Sequence, residues 1–344
     1  MIRFALPLAL ALSLGACKCN EEPDDTQDPE GDADTDADAD TDTDSDGDTD
    51  TDTDTDCTVT VVSSAPEDGE GAWFYMDPLR VTFSEPAEEL ATVSLQDAVG
   101  EVEAALAWDG GIVTITPAAP LEASTGYTLS ATVCGEETAV GFTTDVYGGD
   151  LEEDVSALEH RTYVLDLNEV TFTRPEGLEL IFSMFGVNPL LVGIASADAE
   201  QLTLYVTEGK IGVDGDYREL RDACSWWFDP ADFTAQPFFT ATQDIELAYD
   251  EVLIPVEGFH LEGTFAPDGL SIGGLVVSGL ADTRYLGDDV GGSEDYVCAL
   301  VYDWGIDCVA CGDGAELCLD ILAEGVTAPI APDLDIIPEE EPAP

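Results

Sequence analysis

Short runs in which apolar and polar residues alternate, separated by turn-forming residues, fill the chain from Cys57 to residue 328. Alternation with a period of two is typical of strands that bury one face of a sheet. The first part of this region contains seven such runs, at 58–63, 79–84, 92–95, 102–108, 112–116, 127–133 and 139–143. The triplet Asp109-Gly110-Gly111 predicts a hairpin between the fourth and fifth runs. Short antiparallel strands in this number predict a β-sandwich over residues 57–145.

A second strand-rich region follows the acidic, glycine-containing segment 146–154. Its alternating runs include RTYVLDL, QLTLYVTEG and FHLEGTF, and a hairpin is predicted at Pro267-Asp268-Gly269. Weaker helical patterns cover 176–185 and 294–302. About nine strands with few helices predict a second sandwich or a barrel-like closed sheet over residues 146–328. The predicted fold class is therefore all-β.

The N-terminus, MIRFALPLALALSLGAC, has one basic residue followed by an apolar run from Phe4 to Leu14. The run is too short for a helix that spans a bilayer of about 30 Å, and it is typical of an export signal. The residues Leu14-Gly15-Ala16-Cys17 resemble the lipobox of bacterial lipoproteins. This resemblance implies a signal peptide over 1–16 and a lipid on Cys17, whereas an ordinary secretory signal would leave Cys17 incidental. The predicted location is the cell envelope, with the lipid anchored in the outer membrane of a Gram-negative bacterium.

An acidic segment over residues 17–56 carries aspartate at every second position in long stretches. Between Cys19 and Cys57 it has no aromatic residue and no Val, Ile, Leu or Met, so apolar burial cannot offset the entropy of ordering it. We predict a disordered tether. The repeat also contains half of an EF-hand calcium loop, with oxygen ligands at Asp42, Asp44, Asp46, Asp48 and Asp50. Thr53 stands where that loop needs a bidentate glutamate, so weak Ca²⁺ binding is expected, and a specific site is the alternative.

The chain has 75 acidic and 9 basic residues, which gives a formal net charge of −66 at pH 7. This balance excludes a nucleic-acid-binding surface and argues against docking on anionic lipid. Self-repulsion keeps such a surface soluble, and a basic partner or divalent cations bound at the surface are the alternative interpretation. The Pro- and Glu-rich residues 329–344 lack a core pattern and predict a disordered tail.

Three segments of the first domain carry a family resemblance: VVSSAPEDGEGA (61–72), LRVTFSEP (79–86), and ITPAAPLEASTGYTLSATV with the following VGFTT (115–143). They resemble the bacterial immunoglobulin-like (Ig-like) domain first known from S-layer proteins, and the resemblance covers residues 57–145. It implies a spacer or adhesive module without catalytic residues. We expect Cys57 and Cys134, on the first and sixth predicted strands, to form a disulfide in an exported domain. The whole layout resembles lipoproteins of predatory or myxobacterial-type Gram-negative bacteria.

Nine cysteines leave eight once Cys17 carries a lipid. The remaining disulfide candidates are Cys224, Cys298, Cys308, Cys311 and Cys318, with a connectivity that the sequence leaves open and with no partner assigned to Cys19. A zinc site is the alternative, because Cys308 and Cys311 have the spacing of two ligands of one tetrahedral ion. Disulfides are favoured, since the compartment is oxidising and the second half of the spacing fits no common zinc module.

An aromatic cluster in CSWWFDPADFTAQPFF, led by Trp226, Trp227 and Phe228, is a further candidate. Exposed, these rings would form a binding surface for sugars, lipid or protein; buried, they would be core. His160 and His260 are the only histidines, and neither belongs to a recognisable catalytic motif.

These observations predict a non-catalytic, lipid-anchored envelope protein that presents its domains for adhesion, binding or a structural role. The expected partners are the membrane, through the lipid, and an unidentified protein or glycan at the envelope. The alternatives are a carrier of an apolar ligand in the second domain and a hydrolase with a carboxylate or metal site in 146–328.

Overall fold

The computed structural model describes residues 57–168, 170–179, 188–212, 216–219, 225–249 and 252–338. Within these ranges the protein is mostly β, with two strand-rich domains joined at residues 146–154. The described helices are a 3₁₀ turn at Val155–Leu158, α1 (Arg284–Gly291) and α2 (Tyr296–Tyr302). None of these is long and apolar enough to cross a membrane. The predicted helix over 176–185 falls mainly on residues that are not described, whereas the helix predicted at 294–302 is present as α2.

The N-terminal domain consists of two four-stranded antiparallel sheets, as its alternating pattern predicted. The first has the order β1-β2-β6-β5, with β1 (Val61–Ala65), β2 (Leu79–Phe83), β6 (Ile112–Pro117) and β5 (Ala104–Asp109). The second has the order β4-β3-β7-β8, with β4 (Glu101–Val102), β3 (Ala91–Gln96), β7 (Gly126–Val133) and β8 (Glu136–Thr143). The predicted strand 102–108 is divided at Glu103, because its start pairs with β3 and its remainder with β6.

A disulfide joins Cys57 to Cys134 across a sequence separation of 77 residues. The predicted position on two strands was wrong: Cys57 precedes β1, and Cys134 lies in the turn between β7 and β8. Cys134 and Gly135 have φ values of 55° and 80°, so both central residues of this two-residue hairpin loop are left-handed. The bond therefore ties the beginning of the domain to a tight turn.

The second domain is built from one ten-stranded antiparallel sheet. Nine strands follow the order β10-β18-β17-β16-β15-β14-β12-β11-β9, and β13 pairs with β12 beside this path. Their bounds are β9 Thr162–Leu165, β10 Phe172–Arg174, β11 Leu190–Ala197, β12 Gln201–Ile211, β13 Tyr217–Glu219, β14 Ser225–Asp232, β15 Phe238–Tyr249, β16 Val252–Phe265, β17 Ser271–Asp282 and β18 Cys318–Pro329.

The sheet closes on itself where β9 meets the end of β18. Tyr163 forms an antiparallel bridge with Ile330, and the backbone N–H of Ala331 donates to the carbonyl of Thr162 at 2.7 Å. Eight strands thus form a ring, while β10 and β13 lie beside it. Of the two predicted forms, the barrel-like sheet is the one observed.

Aromatic side chains fill the interior of this barrel. The buried rings of this core are those of Tyr163, Phe172, Trp226, Phe228, Phe233, Phe239, Phe259 and Phe265. The ring of Phe265 lies between 5.3 and 5.8 Å, centroid to centroid, from the rings of Tyr163, Phe233 and Phe239. An eight-stranded barrel has an interior just wide enough for side chains or one small ligand. Here side chains occupy it, which weakens the expectation of an apolar-ligand carrier.

The C-terminal segment packs on the outer face of the barrel, so the predicted disordered tail was wrong for residues 329–338. Ala331 and Ile336 are each only 4% exposed, and they pack with Val164, Leu191 and Tyr205. Gly193 provides the space, since a Cβ there would lie 2.8 Å from Cγ1 of Ile336. The apolar residues Ile336 and Ile337 explain this docking, because burying them offsets the entropy of ordering the segment. Residues 339–344 lie outside the described ranges.

The two domains meet at a joint formed by the aromatic residues Phe74, Tyr75 and Tyr147 of the N-terminal side. The Tyr75 hydroxyl hydrogen-bonds to Thr264 Oγ1 at 3.0 Å, and the Tyr147 hydroxyl to Ser271 Oγ at 3.0 Å. The rings of Tyr147 and Phe74 lie directly over Gly273 and Gly274 of β17. Aromatic packing on glycine, together with a buried hydrogen bond, fixes how the domains are placed against each other.

An acidic group, Asp145, is half-buried beside this joint. Burial, opposed by a hydrogen bond from the Tyr147 N–H and reinforced by Asp77, raises its pKa to about 6. The folded protein therefore holds the Asp145 proton more tightly than the unfolded chain does, and stability falls as the pH rises from about 4 to about 6.

We expect Asp145→Asn to raise the melting temperature at pH 7.5 and to change it little at pH 4, because Asn keeps an acceptor for Tyr147. Asp109→Asn, at the exposed end of β5, is the charge-matched control. Equal effects of the two substitutions at pH 7.5 would refute this assignment.

Candidate binding surface

An insertion between β17 and β18, residues 283–317, forms a small helical cap on one end of the barrel. It contains α1 and α2. These helices pack so closely that a Cβ at Gly291 would overlap the ring of Tyr296. Val297, Val301 and Ile306 attach the cap to the barrel core. At its base, the Thr283 hydroxyl donates to the Leu317 carbonyl at 2.7 Å, which holds the first and last residues of the insertion together.

Two disulfides crosslink the cap: Cys298 is bonded to Cys308, and Cys311 is bonded to Cys318 at the start of β18. The prediction of disulfide bonds is thus confirmed, and the structure supplies the connectivity that the sequence left open. Ligand atoms of Asp282, Cys311 and Cys318 lie within 4.8 Å of one another, which is close enough to hold a metal ion. However, the two sulfurs are bonded to each other, so the thiolates of a zinc site are not available.

An arginine network orients the beginning of α1. Arg284 Nε and a terminal nitrogen donate to both oxygens of the buried Asp282, at 2.9 and 2.6 Å, and its other terminal nitrogen donates to Asp313 Oδ2 at 2.6 Å. These hydrogen bonds, first to Asp282 and then to Asp313, raise the pKa of Arg284. The pKa of Asp313 is lowered, first by the N–H of Ala315 and then by Arg284. The only cation of the cap is therefore already paired.

Every exposed aromatic side chain whose burial the structure describes lies on the cap. These are Tyr285, Tyr296, Tyr302 and Trp304, with exposed fractions of 56%, 40%, 69% and 47%. The other exposed large apolar side chains whose burial is described are aliphatic or methionine. Tyrosine and tryptophan are enriched at interfaces, so exposed rings gathered on one disulfide-bonded element favour that element as a contact surface.

Two open clefts flank Tyr285 and Asp288 of α1. The first has a volume of about 460 Å³ and is lined by Glu246, Val252, Leu253, Pro255, Tyr285, Asp288 and Asp289. The second has a volume of about 430 Å³ and is lined by Arg284, Tyr285, Asp288, Glu294 and Asp313. Both clefts combine an exposed ring with carboxylates, and the lining residues include no histidine, serine or cysteine.

The cap and the domain joint lie at opposite ends of β16. The first cleft contacts this strand at Val252–Pro255, whereas Tyr75 bonds to it at Thr264. Nine residues separate Pro255 from Thr264, which corresponds to roughly 30 Å at about 3.3 Å per strand residue. The cap therefore faces away from the N-terminal domain.

The aromatic cluster predicted from the sequence lies largely inside the barrel. Trp226 and Phe228 are buried in the core, and Trp227 is half-buried with its ring centroid 4.9 Å from that of Tyr205. Of the two interpretations offered for this cluster, the structure shows core packing. Cys17, Cys19, Cys224 and the aspartates from Asp42 to Asp50 lie outside the described residues, so their predicted roles are unchanged.

His260 is part of a hydrogen-bond chain on the outer face of the barrel. Its Nδ1 lies 2.7 Å from Thr242 Oγ1, and its Nε2 lies 3.1 Å from Glu262 Oε2. These groups have the composition of a catalytic triad, but Thr242 and His260 are a cross-strand pair on an open sheet face, whose backbone groups bond within the ladder. Such a position offers no oxyanion-binding N–H groups, so we interpret the chain as sheet-stabilising. The other histidine, His160, pairs with Asp335 at 2.9 Å and helps to hold the C-terminal segment.

Residues 55–144 match the family model of the bacterial Ig-like domain (Big_5). This part of the chain is a bacterial Ig-like domain. Together with the three disulfides, the Ig-like domain indicates an extracytoplasmic protein. No curated protein matches the sequence.

Solved structures give only weak similarities. L,D-transpeptidase 3 from Mycobacterium tuberculosis is 22% identical with a TM-score of 0.21, over 30% of this chain and 43% of that one. L,D-transpeptidase 1 from the same organism is 13% identical with a TM-score of 0.22, over 59% of this chain and 76% of that one. A cycloalternan-forming enzyme from Listeria monocytogenes is 11% identical with a TM-score of 0.16, over 63% and 21%. Scores this low carry no argument about the activity of this chain.

Proposed function

We propose that this protein is a non-catalytic binding protein of the cell envelope, anchored by a lipid on Cys17, and that the cap is its binding end. The observation that carries the proposal is the restriction of exposed aromatic side chains to residues 285–304, among the side chains whose burial the structure describes. The partner is a protein or glycan at the envelope. Binding is proposed in preference to hydrolysis because the described lining of these clefts sets exposed rings beside carboxylates and includes no histidine, serine or cysteine.

The order of the parts along the molecule supports this function. The acidic segment enters the Ig-like domain at Cys57, which is bonded to Cys134 at the turn before β8. The joint with the barrel follows the other end of β8, at Asp145 and Tyr147. Since β8 has eight residues, these two points are separated by roughly 25 Å. From Cys57 onward the Ig-like domain, the barrel and the cap thus succeed one another, and the cap lies at the end far from Cys57.

The proposal is tested by binding of the purified chain, with Cys17→Ser to prevent lipidation, to envelope fractions of the producing cell. We expect Tyr302→Ser with Trp304→Ser to weaken binding at least about tenfold, because exposed rings dominate contact energies. Val62→Ser with Leu106→Ser removes exposed apolar side chains of the Ig-like domain and is the matched control. Equal binding of both double variants and the parent chain would refute the proposed role of the cap.

A further inference from the structure

We infer that the clefts of the cap bind an arginine- or lysine-bearing segment of a partner polypeptide. This inference rests on the proposed function, since it names the chemistry of the partner at the same surface. The first support is the charge of the cap. Its one basic residue, Arg284, is paired with Asp282 and Asp313, whereas its acidic residues are Asp288, Asp289, Glu294, Asp295, Asp303, Asp307, Asp313 and Glu316. A cationic partner is therefore complementary to this surface.

The second support is the arrangement on α1. Asp288 and Asp289 follow Tyr285 by three and four residues, so all three side chains share one face of the helix. Their side chains line the first cleft together, and Glu246 of β15 also lines it. A guanidinium stacked on the Tyr285 ring gains a cation–π contact, and its N–H groups can donate to the adjacent carboxylates.

Other occupants fit this surface less well. An anionic lipid or a phosphorylated glycan would be repelled by the carboxylates of both clefts. A neutral glycan can stack on Tyr285 and donate hydrogen bonds to the carboxylates, but it gains nothing from the negative charges of Asp288 and Asp289. A cation does, and a polypeptide supplies cations on side chains long enough to enter a cleft. Arginine is favoured over lysine, because its planar group stacks and donates in a bidentate manner.

The test uses the exported full chain and three fluorescent synthetic peptides at about 0.15 M salt, where distant charges are screened. The peptides repeat Gly-Ser-Arg, Gly-Ser-Lys or Gly-Ser-citrulline, the last being a neutral counterpart of arginine. We expect affinity to fall in that order. Asp288→Asn with Asp289→Asn should weaken the arginine peptide about tenfold, the size of a charge-assisted hydrogen bond. Tyr285→Ala should reduce the preference for arginine over lysine.

Glu88→Gln with Glu89→Gln provides the matched control, because these residues are exposed on the Ig-like domain and carry the same charge. If both acidic pairs weaken binding equally, the attraction is a general effect of net charge and the inference is wrong. If a neutral glycan binds and Tyr285→Ala abolishes that binding while the arginine peptide is unaffected, the inference is wrong but the proposed function stands. If the cap variants bind envelope fractions as tightly as the parent chain does, the proposed function itself fails. Unchanged circular dichroism and melting temperatures show that each variant is folded.

Discussion

Replacement of both Cys57 and Cys134 by alanine is expected to lower the free energy of unfolding of the Ig-like domain by about 4 kcal/mol. The estimate follows from the chain entropy restored when a loop closed across 77 residues is opened. Such a loss is comparable with the whole stability of a small domain. Hydrogen exchange of β2 and β7 amides would measure it, because those strands carry the buried residues Leu79 and Leu129 of that core.

The control for this prediction is Cys298→Ala with Cys308→Ala, which opens a loop of only 10 residues in the cap. That variant should leave protection of the Ig-like domain unchanged and increase exchange in α2. A loss below about 1 kcal/mol in the Cys57 and Cys134 variant would show that the bond constrains the unfolded chain much less than its span implies.

Gly273→Val is expected to separate the two domains without unfolding either one. Gly273 has no left-handed backbone, so valine is compatible with the strand, but its Cβ would overlap the ring of Tyr147. Overpacking of this kind costs about 1–3 kcal/mol, and displacement of Tyr147 would also remove its hydrogen bond to Ser271. Small-angle scattering should show a larger radius of gyration, with unchanged circular dichroism.

Gly126→Val is the matched control, since a Cβ at this strand position would meet only the Phe142 carbonyl oxygen, at 4.0 Å. Adding Tyr147→Ala to Gly273→Val should restore much of the compact shape, because it removes the overlapping ring. An unchanged radius of gyration in Gly273→Val would contradict the described joint.

Local pattern was sufficient for most of the Ig-like domain. The Asp109-Gly110-Gly111 hairpin and strands such as β2 and β7 are encoded by alternation and turn residues that act over short distances. The division at Glu103 was missed, because a run of uniform strand propensity gives no sign of which neighbour each half pairs with. Closure of the barrel was also undecided, since it depends on a bridge between Tyr163 and Ile330, which are far apart in sequence.

Sequence reasoning did not find the cap. It offered Trp226 and Trp227 as a binding surface or as core, and tertiary packing buries or half-buries them, while the exposed rings of the cap were overlooked. Exposure depends on which residues cover a ring, and a periodic pattern does not report it. A usable signal did exist in Tyr302-Asp303-Trp304, where aromatic and acidic residues alternate inside the loop closed by Cys298 and Cys308.

The central claim, that the cap is the end of the molecule that contacts a partner, is tested most directly by photo-crosslinking in living cells. A photoreactive phenylalanine analogue would replace Tyr302 on the cap or, as the comparison, Leu106 on the Ig-like domain; both side chains are exposed. The account predicts crosslinked products of discrete mass from position 302 and none from position 106. Products from position 106 alone would contradict it.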